Sequence, residues 1–125
     1  QRLLFMKKTP LLLAIAVLVM TSNVWAGKDD HVIIQEAAKN KITIGQAIRA
    51  NDETAVTLTG TIVRQIKHEH YELKDSTGTI GIEVDDDLID LKKLKPGTKV
   101  KVVGEVDTHR YKPTDIEVVK IEIIQ

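Results

Sequence analysis

Ala55-Val56-Thr57-Leu58-Thr59-Gly60-Thr61-Ile62 decides the fold. Val56, Leu58, Gly60 and Ile62 fall on alternate positions, with threonines between them. That period of two, rich in β-branched residues, predicts a half-buried strand. Gly60 in its middle predicts a bulge or sharp bend, as where a barrel strand coils. Downstream, Tyr71 and Leu73 alternate, Asp75-Ser76-Thr77-Gly78 reads as a turn, and Ile80, Ile82 and Val84 alternate again. These two runs predict a hairpin. Asp85-Asp86-Asp87 stops it, and Leu88, Leu91 and Leu94 share the spacing of a short helical turn. Lys95-Pro96-Gly97-Thr98 predicts a tight turn into a fourth strand, where Val100, Val102, Gly104 and Val106 share a face. Residues 115–124 form the last strand, and their alternation slips at Val118-Val119, as a bulge would cause.

Upstream, Thr43-Ile44-Gly45-Gln46 fits a capping box, the threonine hydroxyl serving a free amide and Gln46 reaching back three residues. Ile44, Ala47 and Ile48 then share one face, predicting a short helix that plugs one end of the domain. Residues 27–41 are consistent with either a loose arm or a poor helix. The order is a short helix, three strands, a helical turn and two strands. Five strands in about 70 residues, bent at glycines, predict a small closed all-β barrel of the OB type at 42–125; a sandwich usually needs about seven.

The first 26 residues read as an export signal. Met6-Lys7-Lys8 is a positive start, residues 11–20 (LLLAIAVLVM) an uncharged apolar run, and Val24-Trp25-Ala26 a small-residue cleavage site. A bilayer span needs about 20 apolar residues, so this run is too short to anchor. Residues 1–5 read as an upstream extension. Cleavage after Ala26 predicts a 99-residue periplasmic protein with no membrane span. The 125-residue chain contains no cysteine, which excludes disulfide frameworks, thiol nucleophiles and thiolate zinc sites. Its 18 basic residues balance 18 acidic ones, but Arg2, Lys7 and Lys8 lie in the leader, leaving 15 against 18 and a net charge of −3. A mildly acidic domain has no general attraction to nucleic acid. Past Ala26 only Tyr71 and Tyr111 remain to stack on bases, so no nucleic-acid partner is expected. No catalytic spacing of the Gly-x-Ser-x-Gly, His-Glu-x-x-His or P-loop kind is present, and the expectation is a protein that is not an enzyme.

OB barrels bind through strands two and three and the loops that join strand one to two and strand four to five. Those loops read Lys67-His68-Glu69-His70-Tyr71 and His109-Arg110-Tyr111-Lys112-Pro113. Expected ligand contacts are Tyr71, Arg110, Tyr111 and Lys112: the guanidinium matches a carboxylate or phosphate, the lysine adds a point charge, and a tyrosine supplies a platform. Polar loops are also simply exposed. His68 and His70, two apart in an extended strand, point the same way, and His109 is a candidate third ligand for zinc, nickel or copper. The same histidines are candidate pH sensors. Asp85, Asp86 and Asp87, with Asp90 nearby, lack the spacing of a calcium loop and read better as caps of the following turn.

Thr43-Ile44, Ala47, Asp52, Val56 to Ile62, Tyr71 to Gly78, Ile80, Ile82 to Asp85 and Val102 to Asp107 together resemble the bacterial OB-fold (BOF) family of exported stress-tolerance proteins. The resemblance implies a periplasmic, non-enzymatic domain that binds small molecules or envelope components. Leu73 and Leu88-Ile89 depart from the pattern, standing where members often carry aromatics, so a ligand that stacks on those rings lacks its platform here. The combined expectation is an envelope-stress binding protein with no resident cofactor, whose partner is a small molecule, a peptidoglycan fragment or a periplasmic protein. The alternative is a divalent-metal binder using His68, His70 and His109.

Overall fold

The computed structural model describes residues 29–125; the expected signal segment, 1–26, lies outside the described residues. Five strands close a barrel in the order β1-β2-β3-β5-β4: β1 Ala55–Lys67, β2 His70–Asp75, β3 Gly78–Glu83, β4 Lys99–Asp107 and β5 Asp115–Ile123. Closure depends on β1. Its first half pairs with β4 and its second half with β2, so one 13-residue strand serves two neighbours by bending. The β3–β5 pairing is parallel and all others are antiparallel. Alternate residues of every strand fill the interior, among them Val56, Leu58, Ile62, Tyr71, Leu73, Ile82, Val100, Val102, Val106 and Ile116, each at most 1% exposed.

The capping box of α2 (Ile44–Ile48) forms as expected: the Thr43 hydroxyl accepts from Gln46 N, and the Gln46 side chain accepts from Thr43 N. Ile44 and Ala47 are fully buried and join the core. Asp75 fixes this helix to the β2–β3 turn. Its carboxylate accepts from Ile44 N at 3.0 Å, Thr77 N at 2.7 Å, Thr77 Oγ1 at 2.6 Å and Gly78 N at 3.2 Å. The leucine turn is a 3-10 turn at Leu91–Lys93, with Leu94 buried below it. Its cap is Asp90, which accepts from Lys92 N, rather than the Asp85–Asp87 run.

Residues 30–38 settle the choice between arm and helix. Asp30–Ala38 is a helix, α1, capped by the Asp29 carboxylate on Val32 N. Ile33 and Ala37, one helical turn apart, pack on Ala55 and Val103 to form a second apolar cluster outside the barrel. Buried Thr57 donates its hydroxyl to Ala37 O, and Asn40 donates its amide to Ala55 O, tying the helix end to β1.

The glycines within β1 and β4 serve close approach. The β1–β4 ladder runs through Gly60 without interruption, and the irregularities of β1 come later, near Val63 and Ile66. A Cβ at Gly60 would lie 2.7 Å from Lys74 O and 2.9 Å from Leu73 Cγ, so the residue admits β2 rather than making a bulge. At Gly104 a Cβ would collide with the Glu117 carbonyl. The β4–β5 bulge sits here, with Val119 skipped between the pairs Val103↔Lys120 and Gly104↔Val118, as the slip in alternation predicted. Gly104→Ala is therefore expected to cost about 1–3 kcal/mol, because the obstruction is backbone and not a side-chain tip. An unchanged urea-unfolding midpoint would show that the strands do not cross this closely.

Candidate functional site

The end of α2, the end of β1, the outer face of β2–β3 and the β4–β5 loop enclose a groove of about 570 Å³. Ile48 and Ile66 give it apolar walls and are 42% and 48% exposed. Large aliphatic side chains left half in water beside a concavity are a usual mark of a contact surface. His70, Glu72, Thr79 and Gly81 line it from the hairpin, and Lys67 and Lys112 stand at its sides. The charges within it are unequally engaged. Glu72 is held by Arg64 at 2.9 Å, and the Asp115 carboxylate lies 3.2 Å from the His109 ring nitrogen Nε2, as acceptor of its hydrogen bond. Lys67 and Lys112 have no carboxylate partner among the described residues. The groove thus offers apolar surface and two uncommitted cations to an incoming molecule.

Of the four expected ligand contacts, Lys112 lines this groove with an exposed side chain. Arg110 and Tyr111 are exposed on the same loop, Tyr111 at 90%, but outside the groove's lining. Tyr71 borders the groove, yet its side chain belongs to the core at 1% exposure, so it is no stacking platform. Burial, with the Glu69 charge adding to it, pushes its phenol above the ordinary value. The alternation of Tyr71 with Leu73, opposite Ile82, already implied an inward position. Ile66 is the wall that sequence reasoning missed; its signal is an aliphatic residue inside the polar run Arg64-Gln65-Ile66-Lys67. Ile48, expected on the buried face of α2, turns out to the groove instead.

The first loop is tighter than expected. The β1–β2 connection is only His68-Glu69, with Glu69 at φ 67°, and His70 already pairs with Glu83 on β3. This separates the histidines. His68 Nε2 approaches Asp86 at 3.7 Å and Glu69 at 3.9 Å, and His70 Nε2 stands 4.0 Å from Glu83. His109 lies with Asp107 and Asp115. Among the described residues no ligand-distance group contains two histidines, so the expected three-histidine site does not assemble; each imidazole meets carboxylates instead. A second cleft, of about 440 Å³, is lined by Asp30, Glu69, Glu83, Asp85, Asp87 and Glu117. Burial and then the charges of Glu83, Asp107, Asp115 and Asp30 hold the Glu117 carboxyl above its usual range.

A five-stranded closed barrel with a capped helix before it is the architecture of an OB fold. The sequence profile of the bacterial OB fold (BOF) protein family matches residues 24–123. The chain belongs to the bacterial OB-fold family. It is 37% identical over 86 residues to the calcium-regulated OB-fold protein CarO of Pseudomonas aeruginosa, covering 68% of this chain and 74% of CarO. The solved structure of YgiW from Escherichia coli superposes with a TM-score of 0.62 at 32% identity, over 68% of this chain and 90% of that one. The telomere capping protein Ten1 from Schizosaccharomyces pombe superposes at 0.54 with 18% identity, over 67% of this chain and 79% of its own, a likeness of fold alone.

Proposed function

We propose that this BOF-family domain is a periplasmic, non-enzymatic binding protein that supports envelope stress tolerance. Its ligand is a small molecule or peptidoglycan fragment held in the groove beside the β4–β5 loop. The observation that carries this reading is the pairing of two half-exposed isoleucines with two uncommitted lysines in one concavity. Such a groove suits a ligand with an apolar portion and a carboxylate or phosphate. Export is supported by the leader-like sequence at 6–26 and by the family resemblance. Among the described residues no helix is long and apolar enough to cross a membrane. A nucleic-acid ligand is disfavoured by the net charge of −3 beyond Ala26 and by the burial of Tyr71, which leaves Tyr111 as the one exposed tyrosine.

Thr79 is exposed on β3 within the groove, and Thr79→Trp fills that space without touching the core. Calorimetric titration with a soluble muropeptide is expected to show binding at least about tenfold weaker for this variant, with stability within about 0.5 kcal/mol of the parent. Lys112→Glu is expected to weaken the same ligand by reversing a charge at the rim. Parent-like affinity in both variants would remove the groove as the site.

A further inference from the structure

Asp107 ends β4 and Asp115 begins β5, and the two are direct partners on the last rung of the antiparallel ladder. The connecting loop returns His109 to them. Its Nε2 lies 3.2 Å from Asp115 Oδ1 and 3.6 Å from Asp107 Oδ2. One ligand atom from each residue lies within 4.8 Å of the other two, and all three residues are partly buried. Neither aspartate is paired with a lysine or arginine among the described residues. Asp30, Glu83 and Glu117 add further negative charge nearby. The cluster offers two carboxylate oxygens from the paired strand ends and one nitrogen from the loop between them.

We propose that Asp107, His109 and Asp115 form a binding site for a divalent transition-metal ion of the zinc class. One imidazole with two carboxylates is a donor set for borderline cations, and three protein ligands leave a coordination position open for water or an anion. Hard calcium prefers more oxygen donors and gains little from an imidazole. The His68, Glu69 and Asp86 group is the weaker candidate. His68 is 71% exposed at its side chain, and the Glu69 carboxylate already accepts from Asp86 N at 2.8 Å. Asp115 also borders the groove, whereas Asp107 and His109 do not, so variants at Asp107 and His109 test this site separately from the ligand proposed there.

Isothermal titration of the purified protein with zinc chloride, and separately with calcium chloride, tests the site. One zinc per chain is expected, with calcium at least about tenfold weaker. His109→Ala and Asp107→Asn are each expected to weaken zinc by about tenfold or more, while the His68→Ala/His70→Ala double variant stays within about twofold. Circular dichroism confirms that each variant folds, and Asp107→Asn, nearly isosteric, keeps the test valid where His109→Ala does not fold. Zinc is also expected to shift the His109 ring nitrogens in long-range proton–nitrogen NMR spectra, which a purely structural ion pair would not produce. Three results would overturn the site: no zinc binding, zinc binding indifferent to both single variants, or loss confined to the double variant.

Discussion

Tyr71→Ala is expected to destabilise the protein by about 3–5 kcal/mol, the range for removing a buried ring whose cavity cannot fully collapse. Tyr71 is the largest of the fully buried side chains, held on β2 between Leu73 and the opposing Ile82. Tyr71→Phe is expected to cost less than about 1 kcal/mol, since its hydroxyl has no hydrogen-bond partner among the described residues and the ring does the packing. Urea unfolding of the two variants measures both. Equal and large losses would mean that the phenolic hydroxyl, not the ring, holds the core together. Tyr71→Phe is also expected to leave groove binding unchanged, because the side chain contributes no exposed contact.

Asp75→Ala follows, at about 2–4 kcal/mol, because one carboxylate accepts three backbone amides and a hydroxyl, and hydrogen bonds to charged groups are the stronger kind. Burial pushes this carboxyl up, but the hydrogen bonds from Ile44, Thr77 and Gly78 outweigh it and hold the group below its ordinary value. A folded-state value below the unfolded one contributes stability at pH above the unfolded value, and that contribution disappears as pH falls through the folded value. The gap between parent and variant is therefore expected to be constant from neutral pH down to about 5 and to shrink below about 4. A gap that does not change between pH 7 and pH 3 would show that the carboxylate is not the group that ties α2 to the β2–β3 turn.

The barrel was legible because its signals are local. Val56, Leu58 and Ile62 alternate on one strand, Thr43 and Gln46 sit three apart, and the slip at Val118-Val119 marks a bulge that the ladder contains. Helix α1 was not, because only Ile33 and Ala37 are buried on it, and two residues are too few for a periodicity. The reason for Gly60 was also hidden, since the obstruction comes from Lys74 and Leu73, more than ten residues away.

The candidate site was legible in part for the same physical reason. Loop chemistry pointed to Lys112 and to His109, but the partners of each are set by folding. A two-residue turn at His68-Glu69 sends the first two histidines to different carboxylates, and the ladder brings Asp115 back to Asp107. The groove's apolar walls come from Ile48 on α2 and Ile66 on β1, residues 18 apart in the chain that neither loop motif includes. Composition has no means of showing that Ile48 and Ile66 remain half exposed.

Backbone-amide NMR during titration with a soluble muropeptide tests the groove most directly, using the protein from Gly27 to Gln125. The expected result is saturable shifts concentrated at Ile48, Ile66, Lys67, Thr79, Gly81 and Lys112, with the inner residues of β4 unmoved. Saturable shifts confined to the acidic cleft near Glu69 and Asp87, or no shifts at any concentration, would contradict a ligand site in this groove.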